Sequence, residues 1–115
     1  MAELRGYRIG ATLEYDYGPA FRQAWQQRQL KVDVADTDEQ NLRKLLAGRI
    51  DLFPVTREVG EFLLQTRFTP EEAAQLTYHP RPLLTQPMYL LLNRKRPEHA
   101  QLIKQLNRGL RQLQH

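Results

Sequence analysis

Leu45-Leu46-Ala47-Gly48-Arg49-Ile50-Asp51-Leu52 is the stretch on which the fold turns. Leu42, Leu45 and Leu46 recur at helical spacing, and Gly48 follows where a helix closes on a left-handed residue. Upstream, Thr37-Asp38-Glu39-Gln40 has capping-box spacing, with Thr37 as the cap and Gln40 three residues on. Downstream, Ile50-Asp51-Leu52-Phe53-Pro54-Val55 is short, apolar and β-rich, which suits a buried strand. Pro54 cannot donate to a ladder, so it is expected to mark that strand's end. Helix, left-handed glycine and buried strand in succession are half of a βαβ unit.

Working outward, residues 7–12 predict a first strand and residues 17–29 a first helix, with Gly18-Pro19 at its start and Phe21 and Trp25 on one face. Residues 30–35 alternate apolar and polar, as in a strand with one buried face. Thr56 can cap a further helix carrying Val59, Phe62 and Leu63. Thr69-Pro70-Glu71-Glu72 opens a short one, with Pro in the first turn and acids near the positive end. His79-Pro80-Arg81-Pro82 predicts an extended break with a strand on either side, and residues 87–93 a buried strand. After Pro97, the residues Leu102, Ile103, Leu106, Leu110 and Leu113 form the apolar stripe of a last helix. Short strands alternating with helices predict an α/β fold: a mostly parallel sheet flanked by helices.

Composition narrows the chemistry. The chain has 115 residues, 41% of them hydrophobic, enough for one domain with a core. It has no Cys, which excludes disulfides, thiolate metal sites and a Cys nucleophile. No apolar run approaches the roughly 20 residues of a membrane-spanning helix, and residues 1–8 hold no apolar segment of the signal-peptide kind. The net charge is +4, with the basic residues dispersed except for Arg94-Lys95-Arg96. No aromatic residue is interleaved there, so a solvated loop is expected rather than a nucleic-acid surface. His79, His99 and His115 lack metal-ligand spacing, and no catalytic set or phosphate loop can be built. The expectation is no metal, no cofactor and no enzymatic activity.

Two loops qualify as ligand-facing. In open α/β sheets ligands bind at the carboxyl ends of strands, beside helix N-termini. Glu14-Tyr15-Asp16-Tyr17-Gly18 follows the first strand, and Val55-Thr56-Arg57 follows the third; parallel strands put both on one edge. Tyr15 and Tyr17 suit either a ligand surface or packing. Thr56 suits a helix cap, a ligand contact or both. Asp33, Asp36 and Asp38 cluster after the second strand, where capping and a solvated loop account for them.

Residues 7–18, then Glu39-Gln40-Asn41-Leu42-Arg43-Lys44-Leu45-Leu46-Ala47-Gly48-Arg49-Ile50-Asp51-Leu52, then Val59-Gly60-Glu61-Phe62-Leu63-Leu64, and finally Met88-Tyr89-Leu90-Leu91-Leu92-Asn93 resemble family 3 extracellular solute-binding proteins of bacteria. The resemblance implies a periplasmic-binding-protein-like (type II) lobe. Residues 1–86 would form lobe two, and residues 87–115 a strand and helix returning to lobe one. It implies a periplasmic protein that captures a small polar, amino acid-like solute for an ABC transporter, with the transporter's membrane subunits as partners. Thr12, Glu14, Tyr15, Asp16, Thr56 and Arg57 would then be the ligand-binding residues. Glu14 stands where the family has a glycine, and Asp16 where it has a serine. Thr56 replaces the acid that pairs with an amino acid's ammonium, which removes a charge-assisted bond. The other expectation is an interaction or sensory module with a degenerate site. It would form a homodimer through the apolar segment from 87 to 113, with no nucleic acid bound.

Overall fold

The computed structural model describes residues 7–13, 15, 19–83 and 88–94. The elements run β1 (Arg8–Thr12), α1 (Pro19–Gln26), β2 (Lys31–Ala35), α2 (Asp38–Ala47), β3 (Phe53–Thr56), α3 (Arg57–Thr66), α4 (Pro70–Ala73), β4 (Leu76–Leu83) and β5 (Met88–Asn93). This is an α/β fold. No described helix is long and apolar enough to cross a membrane.

β1 and β2 pair in parallel, from Arg8 opposite Lys31 to Thr12 opposite Ala35. A parallel bridge between Ile9 and Leu52 continues the sheet toward β3. Gly10 N–H donates to Leu52 O at 2.9 Å and Leu52 N–H to Arg8 O at 3.2 Å. The next rung would require an N–H at Pro54, which has none, so the β1–β3 ladder stops at this bridge. Pro54 therefore ends a ladder but not its strand: β3 runs on to Thr56 and pairs antiparallel with β5, Pro54 opposite Leu90.

The expectation of a mostly parallel sheet is corrected here. β5 lies between β3 and β4 and is antiparallel to both, so the second sheet contains no parallel ladder. The predicted break at His79-Pro80-Arg81-Pro82 is also corrected, because β4 passes through it as one strand with a register shift between Tyr78 and Pro82. β4 is an edge strand, and an edge tolerates prolines because one side makes no ladder. The segment expected to carry a dimer contact starts with a strand already covered by its own chain: Met88, Leu90, Leu91 and Leu92 are buried. The predicted last helix lies outside the described residues, as does the Arg94-Lys95-Arg96 cluster beyond Arg94.

Each face of the sheet has its own core. Ile9, Ala11, Phe21, Ala24, Leu30, Leu52, Met88, Leu90 and Leu92 pack on the α1 side. Leu42, Leu45, Ile50, Phe53, Val55, Phe68, Leu76 and Leu91 pack on the side of α2 and α3. α1 is shorter than expected and leaves the helix through Arg28 in the left-handed region (φ 60°). Among its described side chains Phe21 and Ala24 are buried, while Trp25 is exposed and meets the Phe21 ring edge-on at 6.2 Å. α3 also presents a different face from the one expected: Val59 and Phe62 are exposed, Gly60 is buried, and Leu63 and Leu64 pack against the core.

The deciding stretch folds as its sequence requires. Thr37 and Gln40 form the reciprocal capping box, and Gly48 closes α2 at φ 77°. The turn is then fastened to β1. Buried Asp51 accepts Arg8 N–H at 2.7 Å, and Asp51 N–H donates to Arg8 O at 2.7 Å. The Arg8 guanidinium donates to Gly48 O at 2.6 Å and pairs with Asp51 at 3.4 Å. Gly10 lets α2 approach β1 closely. A Cβ there would lie 2.5 Å from Ile50 Cδ1 and 2.8 Å from Asn41 Oδ1. Gly10→Ala is expected to lower stability by about 1–3 kcal/mol through this overpacking, read as an earlier urea midpoint with an unchanged slope.

Candidate functional site

β1 and β3 end on the same edge of the sheet, and α2 and α3 begin there. The side chains gathered at that edge are Tyr15, Asp38, Pro54, Val55, Thr56, Val59 and Met88, around a depression of about 20 Å³. That is room for one water-sized group. Tyr15 is held near the end of β1, its N–H donating to Thr12 O at 3.1 Å. Thr56 caps α3 by accepting Val59 N–H at 3.3 Å.

Thr12 does not line the depression but stands behind it. Its hydroxyl donates to Asp38 Oδ1 and accepts from Asn41 Nδ2 at 3.0 Å. Asn41 is fully buried, and its Oδ1 has no hydrogen-bond partner. The Asn41–Thr12–Asp38 chain thus runs from the core to the edge. The capping-box pattern marks the start of α2 but carries no sign that Asp38 and Asn41 face β1. Only the packing of α2 on β1 shows it.

Of the residues expected to bind ligand, Tyr15 and Thr56 meet at the depression and Thr12 supports it. Glu14 and Asp16 lie outside the described residues, as does Tyr17. Arg57 goes elsewhere: its guanidinium lies over the rings of Tyr78 at 5.1 Å and Tyr89 at 5.0 Å. These two rings meet edge-on at 6.2 Å. Helix geometry turns the first residue of α3 toward β4 and β5 while its cap, Thr56, stays at the depression. Of the other two acids of the predicted cluster, Asp33 lies in β2 and pairs with Lys44 at 3.0 Å instead of capping a helix, and Asp36 is exposed in the turn before α2, its main-chain N–H donating to Gln40 Oε1 at 3.0 Å. Among the described residues no group of three or more metal-ligating side chains assembles.

Tyr78 is a second polar feature missed at the sequence level. Its hydroxyl is buried without a partner, directly under Gly60, where a Cβ would collide with it. Burial, reinforced by Glu61 and opposed by Arg57, pushes its phenol up to about 12.

No protein-family model matches the chain, and no curated protein matches it. Among solved structures it is similar to SaIMPase-II with 2'AMP bound, at TM-score 0.46 and 13% identity. The alignment covers 96% of this chain and 46% of that one, so the chain spans about half of that neighbour's length. The expectation of no enzymatic activity is not kept beside this neighbour, named SaIMPase-II. At this similarity the likeness carries no argument about substrate or mechanism.

A folded-state phenol raised above its unfolded value of 10.0 favours folding fully below pH 10.0, and that contribution is lost as the pH climbs toward 12. Tyr78→Phe is therefore expected to keep neutral-pH stability within about 1 kcal/mol of wild type or raise it, since a partnerless hydroxyl is removed. It is also expected to soften the alkaline decline. Urea unfolding at pH values on either side of 10.0 measures both.

Proposed function

We propose that this chain is a periplasmic-binding-protein-like (type II) lobe, the second, of a periplasmic solute-binding protein, with β5, the strand expected to return to lobe one, built instead into this lobe's own sheet between β3 and β4. The parent protein would capture a small polar, amino acid-like solute and deliver it to the membrane subunits of an ABC transporter. One observation carries the reading: Tyr15, Asp38 and Thr56 converge where β1 and β3 end and α2 and α3 begin. This is the edge at which open α/β sheets take their ligands. The strand directions add support. β1, β2 and β3 share one direction, β4 shares it through β5, and β5 alone is reversed. Every strand that precedes an edge loop therefore points its carboxyl end toward the same side.

A depression of about 20 Å³ is one wall of a site and not a cleft. Ligand pockets are typically about 300–1,000 Å³ and close around most of the solute. An opposing lobe would supply the rest, so this chain alone is expected to bind with a Kd of about 1 mM or weaker. NMR titration of the ¹⁵N-labelled chain with a panel of amino acids, sugars and dicarboxylates tests the reading. The expected result is saturable shifts confined to Thr12, Tyr15, Asp38, Thr56 and their neighbours. A panel that leaves this edge unmoved, or that moves the opposite edge instead, would remove it.

A further inference from the structure

β2 is an edge strand. Among the described residues it pairs with β1 alone, while β1 also bridges to Leu52 on its other side. Leu13 N–H donates to Ala35 O at 2.8 Å, which sets the phase of the β1–β2 ladder. Alternate residues of a strand turn their main-chain groups to the same neighbour. Asp33 and Ala35 therefore bond toward β1, and the N–H and C=O groups of Val32 and Val34 point outward. Such an edge is a template for another strand. The Val34 carbonyl accepts the Lys44 ammonium at 3.5 Å, and Val34 itself is 40% exposed.

The two faces of this edge differ in chemistry. Val32 packs on the core beside α1, and Val34, two residues on, shares its face. Lys31, Asp33 and Ala35 face α2, where Asp33 pairs with Lys44 at 3.0 Å. On that side the edge opens into a groove of about 570 Å³, lined by Asp36, Gln40, Arg43, Lys44, Ala47 and Arg49. Three cations stand there against one acid. Lys44 is held by Asp33 and Arg43 by Glu39, but among the described residues no acid pairs with exposed Arg49. A second copy of the chain complements this edge poorly. β2 paired with β2 about Asp33 would set two carboxylates directly opposite each other, which is destabilising.

We propose that the outer edge of β2 is a docking site for an extended acidic segment of a partner protein, which joins the sheet as a further strand. Side chains directly opposite each other across a ladder lie on one face. Every second residue of the incoming segment therefore lies over the groove with Arg43, Lys44 and Arg49, and these positions take Asp or Glu. The residues between them lie beside Val32 and Val34 and are apolar. Main-chain bonds to Val32 and Val34 give the affinity, and the cations of α2 and its following turn give the specificity. The groove shares no lining residue with the depression beside Thr56, so this docking stands whether or not that edge binds a solute.

The experiment is NMR titration of the full ¹⁵N-labelled chain with a capped peptide of alternating Glu and Val. The controls are the same peptide with Lys for Glu, and the Glu peptide with its main-chain nitrogens methylated. The Glu peptide is expected to shift Val32, Val34, Arg43, Lys44 and Arg49 saturably, and the Lys peptide to leave them unmoved. Methylation should weaken binding about tenfold or more, because the peptide loses its ladder donors. Arg49→Glu, at an exposed position, should weaken it about threefold or more. A methylated or a Lys peptide that binds as well as the Glu peptide overturns the proposal. So does a Glu peptide that leaves β2 unmoved at millimolar concentration. An oligothymidylate that displaces the Glu peptide overturns it in favour of nucleic acid. Shifts at Val32 and Val34 that grow with protein concentration alone overturn it in favour of a second copy.

Discussion

The junction of Arg8, Gly48 and Asp51 is the constraint on which the rest of the structure depends. It is a buried carboxylate closed into a ring of main-chain bonds. Asp51 accepts Arg8 N–H at 2.7 Å, returns its own N–H to Arg8 O at 2.7 Å, and meets the Arg8 guanidinium that also holds Gly48 O. A buried charge left without such partners would cost several kcal/mol. The ring fastens the end of α2 and the start of β3 to the first residue of β1. Once it is closed, Gly10 and Leu52 fall into hydrogen-bond register and the order of strands around β1 is set.

From that junction the sheet extends by two different rules. On the β2 side the ladder is regular and parallel over five pairs. On the β3 side it stops after Leu52, because Pro54 has no N–H to offer. β1 and β3 are then not held together at their carboxyl ends, and the depression lies beyond their last rung. The reversed strand β5 makes up the lost pairing. It bonds to β3 and β4 together and places Leu91 in the core on one face and Leu90 and Leu92 in the core on the other. A central strand can be fully apolar in this way, as the run from Met88 to Leu92 is.

The edge chemistry follows from how α2 and α3 dock. α2 packs so closely over Gly10 that Asn41 is buried beneath β1 and reaches Thr12, and Thr12 in turn holds Asp38. α3 begins at the same level, so its cap Thr56 faces the depression, while the next residue, Arg57, is carried over to Tyr78 and Tyr89. Neighbours in sequence thus serve different surfaces, and Thr12 and Asp38, far apart in sequence, serve one.

Local rules determined a large share of this protein from the sequence alone. The Thr37–Gln40 box, the left-handed Gly48, the Thr56 cap and the Thr69-Pro70 start each act within a few residues, and the structure contains each of them. The meeting of Tyr15 and Thr56 at one edge was legible for a related reason: parallel neighbouring strands end on the same side. Other features needed the tertiary structure. Whether β5 runs with or against its neighbours is a property of pairing, and its apolar run suits either direction. Pro54 shows its effect only once β1 is known to be the strand that lacks its N–H. Val59, Phe62 and Leu63 have the spacing of a buried face, yet docking buries Gly60, leaves Val59 and Phe62 exposed and turns only Leu63 of the three, with Leu64, partly inward, because a helix face is chosen by what it meets. Asp38 resembles any acid in a first helical turn, and only the contact of α2 with β1 gives its carboxylate a fixed direction and a place at the edge.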